Sequence, residues 1–130
     1  MKYLSYTLLA IFSLAFFSCV DDYELTQDED TVKLQEKQTR VEEFAKSVPC
    51  TDESEWDFAP IGVKACGGPK GYIAYNTTID TVTFFAYLED YNSFEEIYNE
   101  KWGISSTCDV PQAPIDVTCE DGEPVLIYEE

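Results

Sequence analysis

Five cysteines, twenty-six carboxylates and the complete absence of histidine set the chemistry open to this 130-residue chain. Without an imidazole there is no Ser-His or Cys-His nucleophile, no His-led general base and none of the usual zinc hydrolase sites. A carboxylate pair could still cleave a glycosidic bond, but 26 Asp and Glu on one small chain make any chosen pair uninformative. The cysteines stand at positions 19, 50, 66, 108 and 119, with no Cys-x-x-Cys pair of the kind that structural zinc sites use. No Gly-x-Ser-x-Gly elbow, phosphate-binding glycine loop or EF-hand spacing is present. The reading is therefore of a protein that is not an enzyme, with no catalytic residue, no metal and no cofactor. The net charge of −18 adds a further exclusion, because such a surface is repelled by nucleic acid and by anionic headgroups.

One stretch remains chemically distinctive. From Trp56 to Tyr75 the chain is dense in aromatic, Gly and Pro residues around Lys64, Cys66, Gly67, Gly68, Pro69 and Lys70. The plainer expectation is a tight turn leading into a strand, with Trp56 and Phe58 filling the core beneath. The sharper one is a braced, exposed recognition loop, the arrangement that lowers the ordering cost of binding.

The elements that must position this loop can be read from periodicity. Apolar residues Leu34, Val41, Phe44, Ala45 and Val48 predict a helix over 31–48, with Glu36–Arg40 and Glu42–Lys46 as i,i+4 pairs and Pro49 as its stop. A stronger signal over 81–102 has Asp80 as N-cap, Gly103 as stop and a stripe of Phe84, Leu88, Tyr91, Tyr98 and Trp102. Phe85, Phe94 and Ile97 widen that stripe, so this helix is expected to pack across a sheet. Strands are expected at 72–76 and 104–108, and a hairpin at 115–119 and 124–128 about the turn Glu120-Asp121-Gly122-Glu123. The predicted fold class is α+β: one long helix and a second N-terminal helix on a small three- or four-stranded, mostly antiparallel, disulfide-braced sheet.

The N-terminus sets the compartment. Lys2, the apolar run from Leu4 to Phe17, then Ser18 and Cys19 resemble the signal and lipobox of bacterial lipoproteins, although Phe16 stands where that family favours an aliphatic residue. The resemblance implies a signal peptide over 1–18 and a lipid on Cys19, and membrane attachment through that lipid. Residues 19–30 are expected to form a polar tether and 31–130 the domain. The acids Asp21, Asp22 and Glu24 resemble the surface-export signal of Bacteroidota lipoproteins. Asp30-Thr31-Val32 and Asp80-Thr81-Val82 resemble the O-glycosylation sequon of the same phylum, and Thr31, placed in the tether, is the preferred acceptor. Export favours oxidised thiols, so Cys50, Cys66, Cys108 and Cys119 are expected to form two disulfides. Three connectivities are compatible with four cysteines; Cys50–Cys66 and Cys108–Cys119 close the shortest loops.

Lys-Ala-Cys-Gly-Gly-Pro at 64–69, with Lys101-Trp102-Gly103-Ile104 and the 108–119 segment, resembles small uncharacterised lipoproteins of Bacteroidota. That resemblance implies an outer-membrane address, at the cell surface or on the periplasmic face, and no activity. The functional expectation is a lipid-anchored binding module for an extracellular or periplasmic protein, protease inhibition being a specific form. The alternatives are a structural envelope lipoprotein and a carboxylate-pair hydrolase.

Overall fold

The computed structural model describes residues 25–129. The expected signal over 1–18, the expected lipidation at Cys19 and the expected tether as far as residue 24 lie outside them. No described helix is long and apolar enough to cross a membrane.

The fold is α+β. Helix α1 spans Gln27–Ala45, strands β1 and β2 span Trp56–Ile61 and Gly71–Asn76, helix α2 spans Thr81–Lys101, and β3 and β4 span Asp116–Glu120 and Glu123–Ile127. The four strands form two separate antiparallel hairpins, β1–β2 and β3–β4, where one sheet was expected. Segment 104–108, expected as a strand, has no regular structure, and β1, with Pro60 inside it, takes its place. Each strand has an unpaired edge, which is where a proline is tolerated. At the second hairpin Asp121 (φ 51°) and Gly122 (φ 84°) are both left-handed, the two-residue turn that matches strand twist.

Helix α1 starts four residues before the expected boundary. Thr26 and Glu29 form a reciprocal capping box, the Glu29 carboxylate accepting from the Thr26 N–H at 2.8 Å, and Asp28, Glu29 and Asp30 sit favourably in the first turn. Residues 27–30, expected in the tether, therefore belong to this helix. The helix ends at Ala45, before Val48 and Pro49. Its expected internal ion pairs give way to contacts between elements: Arg40 lies over the Tyr87 ring and Lys46 meets Glu123.

The layers follow from strand alternation. One face of β1–β2 presents Ala59, Ile73 and Tyr75 to Val41 and Ala45 of α1 and to Phe84, Leu88 and Tyr91 of α2. The other presents Trp56 and Ala74 to Val117 and Cys50, with Phe58, Leu126 and Cys119 alongside. The first hairpin is thus a middle layer between the helices and the second hairpin, and β2 is buried nearly continuously. Phe85 (44% exposed) and Ile97 (60% exposed) do not widen the buried stripe as expected. Tyr98 and Trp102 are spent instead on α1.

The two helices run antiparallel, and polar contacts set their register. The Asp30 carboxylate accepts from Lys101 at 2.9 Å and from the Trp102 indole N–H at 3.1 Å, and Thr31 meets the Tyr98 hydroxyl at 2.8 Å. Further along, Lys37 pairs with Asp90 and lies over Phe94, and Phe44 packs edge-on against Tyr87.

The disulfide that the structure holds is Cys50–Cys119, which corrects the expected Cys50–Cys66 and Cys108–Cys119 pairing. Proximity along the chain was the wrong guide, because β3 returns to pack beside β1 and brings Cys119 to the connection that follows α1. Bridging a separation of 69 residues constrains the unfolded chain by about 4 kcal/mol on the entropic view.

The hydrogen bond from Lys101, reinforced by that from Trp102, holds the Asp30 carboxyl below its ordinary range. A carboxylate with a depressed native pKa stabilises the fold above its unfolded value and loses that contribution as the pH falls through the native one. Asp30→Asn should therefore lower the urea midpoint at pH 7, and its difference from the wild type should shrink progressively below about pH 4. Urea titrations of both proteins at a series of pH values check this; a difference independent of pH would contradict it.

Candidate functional site

The expected recognition loop is the β1–β2 connection, residues 62–70, and α2 holds it from beneath. The buried stripe of this helix runs Phe84, Leu88, Tyr91, Glu95, Asn99. Its first half is apolar and meets the core; its second half is polar and meets the loop. The Gly62 N–H donates to the Asn92 amide oxygen at 2.8 Å, the Val63 N–H donates to Glu95 at 2.7 Å, and the Asn99 amide donates to the Val63 carbonyl at 2.8 Å. Lys70, at the far end of the loop, forms an ion pair with the same Glu95, whose side chain is 1% exposed. Burial, and then the charge and hydrogen bond of Glu95, push the Tyr91 hydroxyl well above the usual tyrosine range.

Three glycines of the loop have positive φ. Gly62 has φ 77°, and a Cβ there would lie 2.9 Å from the Lys70 Cβ and 3.0 Å from a Glu95 oxygen. Gly67 and Gly68, at φ 94° and 80°, make the tip, where the Gly67 N–H donates to the Lys64 carbonyl at 2.8 Å and the Lys64 N–H to the Gly68 carbonyl at 2.9 Å. The crest from Ala65 to Gly68 is exposed.

Lys64 is not part of the presented surface. Its ammonium reaches the Asp109 carbonyl at 2.6 Å and the Asp109 carboxylate at 3.1 Å, with 11% of the side chain exposed. It fastens the loop sideways to the segment after α2. Cys66 lies against the same segment, its sulfur 3.4 Å from the Thr107 carbonyl and 3.7 Å from the Ser106 hydroxyl. The six expected loop residues are thus together, as clamps (Lys64, Lys70), a turn (Gly67, Gly68, Pro69) and an exposed thiol (Cys66).

Concavities flank the loop. A groove of about 650 Å³ between α1 and the hairpins reaches Gly62, Lys70, Tyr91 and Glu95 at one end. A second hollow of about 450 Å³ lies between Val63, Lys64, Gly67 and the end of α2 at Asn99 and Gly103. Among the described residues, no group of three Cys, Asp or Glu side chains converges as a metal site requires.

Thr31 lies in α1 rather than in a tether. Its hydroxyl donates to the Gln27 carbonyl at 2.7 Å and meets Tyr98, so the expected glycan acceptor is occupied by packing. Sequence reasoning missed Asn92, Glu95 and Asn99. The signal was present: Glu95 stands four residues after Tyr91 and seven after Leu88, on the apolar stripe itself.

Glu95→Gln should weaken the fold by about 1–3 kcal/mol, because the amide keeps the Val63 bond but offers Lys70 no charge. Gly62→Ala should cost at least about 1 kcal/mol through the left-handed φ and the missing space. In both variants hydrogen exchange at Val63 should accelerate more than exchange in β2. Equal acceleration of the two would contradict a local role for this network.

No protein-family model matches the chain, and neither the curated proteins nor the solved structures provide a match.

Proposed function

We propose that this protein is a lipid-anchored envelope lipoprotein of the Bacteroidota type whose domain is a non-enzymatic binding module, with the 62–70 loop as its recognition element. The observation that carries the reading is the way this loop is fixed. Asn92, Glu95 and Asn99 hold its base, Lys64 holds its side, and the Ala65–Gly68 crest is left exposed. A loop ordered before it meets a partner avoids about 0.5–1.5 kcal/mol for each side chain it would otherwise have to immobilise on binding. The acid-rich exterior is unsuited to nucleic acid, and a protein surface is the partner we assign to the loop.

The anchor narrows the partner further. Lys101 donates to the Leu25 carbonyl at 3.1 Å, and Asn99, two residues earlier, holds Val63, so the chain enters the domain at the loop end of α2. From Cys19 to Leu25 the chain reaches at most about 20 Å. With lipid on Cys19, the loop stands close to the membrane surface, where an envelope protein at the same surface is the fitting partner. Protease inhibition is the specific form this takes if that partner is a protease.

Protein purified from its native membrane should carry a diacyl or triacyl mass that a Cys19→Ala variant lacks. In membrane cross-linking, the wild type and a conservative Ala65→Ser variant should capture the same envelope protein. Ala65→Arg, which changes only the crest, should capture at least about tenfold less at unchanged thermal midpoint. Equal capture by Ala65→Arg would remove the loop from the interface, and failure to inhibit any of a broad protease panel would remove the inhibitor form.

A further inference from the structure

Cys66 and Cys108 are both exposed and outside the Cys50–Cys119 disulfide, and the Cys66 sulfur lies 3.4 Å from the carbonyl of Thr107, the residue next to Cys108. They approach each other across 42 residues of chain because two segments are fixed independently on the end of α2. The loop is held there through Val63, whose carbonyl accepts from the Asn99 amide at 2.8 Å. Segment 104–109 is held by the Ile104 N–H, which donates to the Asn99 carbonyl at 2.9 Å. One residue thus anchors both, and Lys64 draws them together at Asp109. Ser106 and Thr107 close on Cys66 from the opposite segment.

We propose that Cys66 and Cys108 are joined by a second, solvent-accessible disulfide, nested inside Cys50–Cys119 and closed by exchange with an external disulfide of the glutathione or dithiol-oxidase class. In the first step the Cys66 thiol yields its proton to solvent and the thiolate attacks one sulfur of the external disulfide, expelling one thiolate. In the second, the Cys108 thiol gives up its proton, its sulfur attacks the Cys66 sulfur of the mixed disulfide, and the other external thiolate is expelled, the two protons released ending on the two external thiols. The external disulfide is reduced by two electrons to two thiols, and the protein pair is oxidised by the same two. The order of attack follows from the surroundings. The hydrogen bond with Cys108, then Ser106 and the charge of Lys64, hold the Cys66 thiol below the usual range, whereas the same hydrogen bond and burial push Cys108 up.

Position separates the two bridges in chemistry. Cys50 is 3% exposed and lies in the core between the hairpins, whereas Cys66 and Cys108 stand at the surface. Attack on a disulfide depends on access to its sulfurs, so the outer bridge opens and closes while the inner one stays shut. Opening it removes a covalent tie at the side of the recognition loop, leaving the Lys64–Asp109 clamp in place, without unlinking the two hairpins.

The test is peptide mapping of the full chain under non-reducing conditions after equilibration with oxidised glutathione, followed by graded reduction and alkylation. A Cys66–Cys108 linked peptide is expected beside Cys50–Cys119, opening at a reductant concentration about tenfold lower. In Cys108→Ser, Cys66 should remain as a mixed disulfide with glutathione, since its resolving thiol is gone. Both thiols free after oxidation with Cys50–Cys119 intact, or a Cys50–Cys66 and Cys108–Cys119 pattern, would overturn the proposal. So would release of both bridges at the same reductant concentration. Peptide mapping reads no partner, so the cross-link and the binding role fail separately.

Discussion

A carboxylate with 1% of its side chain exposed must be satisfied where it stands, and Glu95 is the point from which one end of this molecule is organised. Burying an ionised group costs several kcal/mol unless donors surround it. Here the donors are the Val63 N–H and the Lys70 ammonium. Val63 follows the end of β1 and Lys70 precedes the start of β2, so satisfying one carboxylate fixes both ends of the loop between them. The closeness of that arrangement leaves no space for a Cβ at Gly62. Cys66 then faces the segment carrying Cys108 because Lys64 ties the loop to Asp109.

Scarcity of cations is the second organising fact. Of the seven Lys and Arg among the described residues, six join separate elements. Lys37 and Arg40 connect α1 to α2, Lys46 connects the end of α1 to β4, Lys64 and Lys70 fasten the loop, and Lys101 returns α2 to α1. Exposed pairs contribute at most about 1 kcal/mol each, so their effect lies less in stability than in register. Helix α1 illustrates it: only Asp30, Val41 and Ala45 are buried, and an apolar face that narrow specifies its partner poorly. Polar contacts at Asp30, Thr31 and Lys37 decide which turn of α1 meets which turn of α2. With the cations so committed, the remaining charged surface is predominantly acidic.

The parts of the fold legible in the sequence are those governed by local chemistry. Asp80 caps α2 and Asp121-Gly122 turns the second hairpin, because a cap and a two-residue turn are each decided within four residues. The capping box of Thr26 and Glu29 was equally local, but it lies inside an acid-rich run whose composition reads as tether. Strand β1 was obscured by Pro60, which is tolerated there only because the ladder has two strands. The pairing of Cys50 with Cys119 depends on β3 returning beside β1, a topological fact with no local signature. At the site, the glycines and cysteines of the loop were legible by type. Their supports were legible only as positions: Glu95 and Asn99 fall on the stripe at helical spacing, but what satisfies them is decided by the loop that covers them, which has no local signature.

The middle hairpin is the element on which these observations converge. A two-stranded hairpin is marginal in water unless its faces are covered, and β1–β2 is covered on both: by Val41, Phe84 and Leu88 on one face, by Val117 and Cys50 on the other. The two hairpins belong to separate ladders, so what binds them is side-chain packing and the Cys50–Cys119 bridge near Trp56, at the open end of the hairpin. Its loop end, where Ile61 pairs with Gly71, is secured by a polar network instead. An apolar plug at that end would hide the loop, whereas hydrogen bonds from α2 hold its backbone and leave the crest in water. The division of the α2 stripe into an apolar half and a polar half is therefore what lets one helix both close the core and present a surface loop.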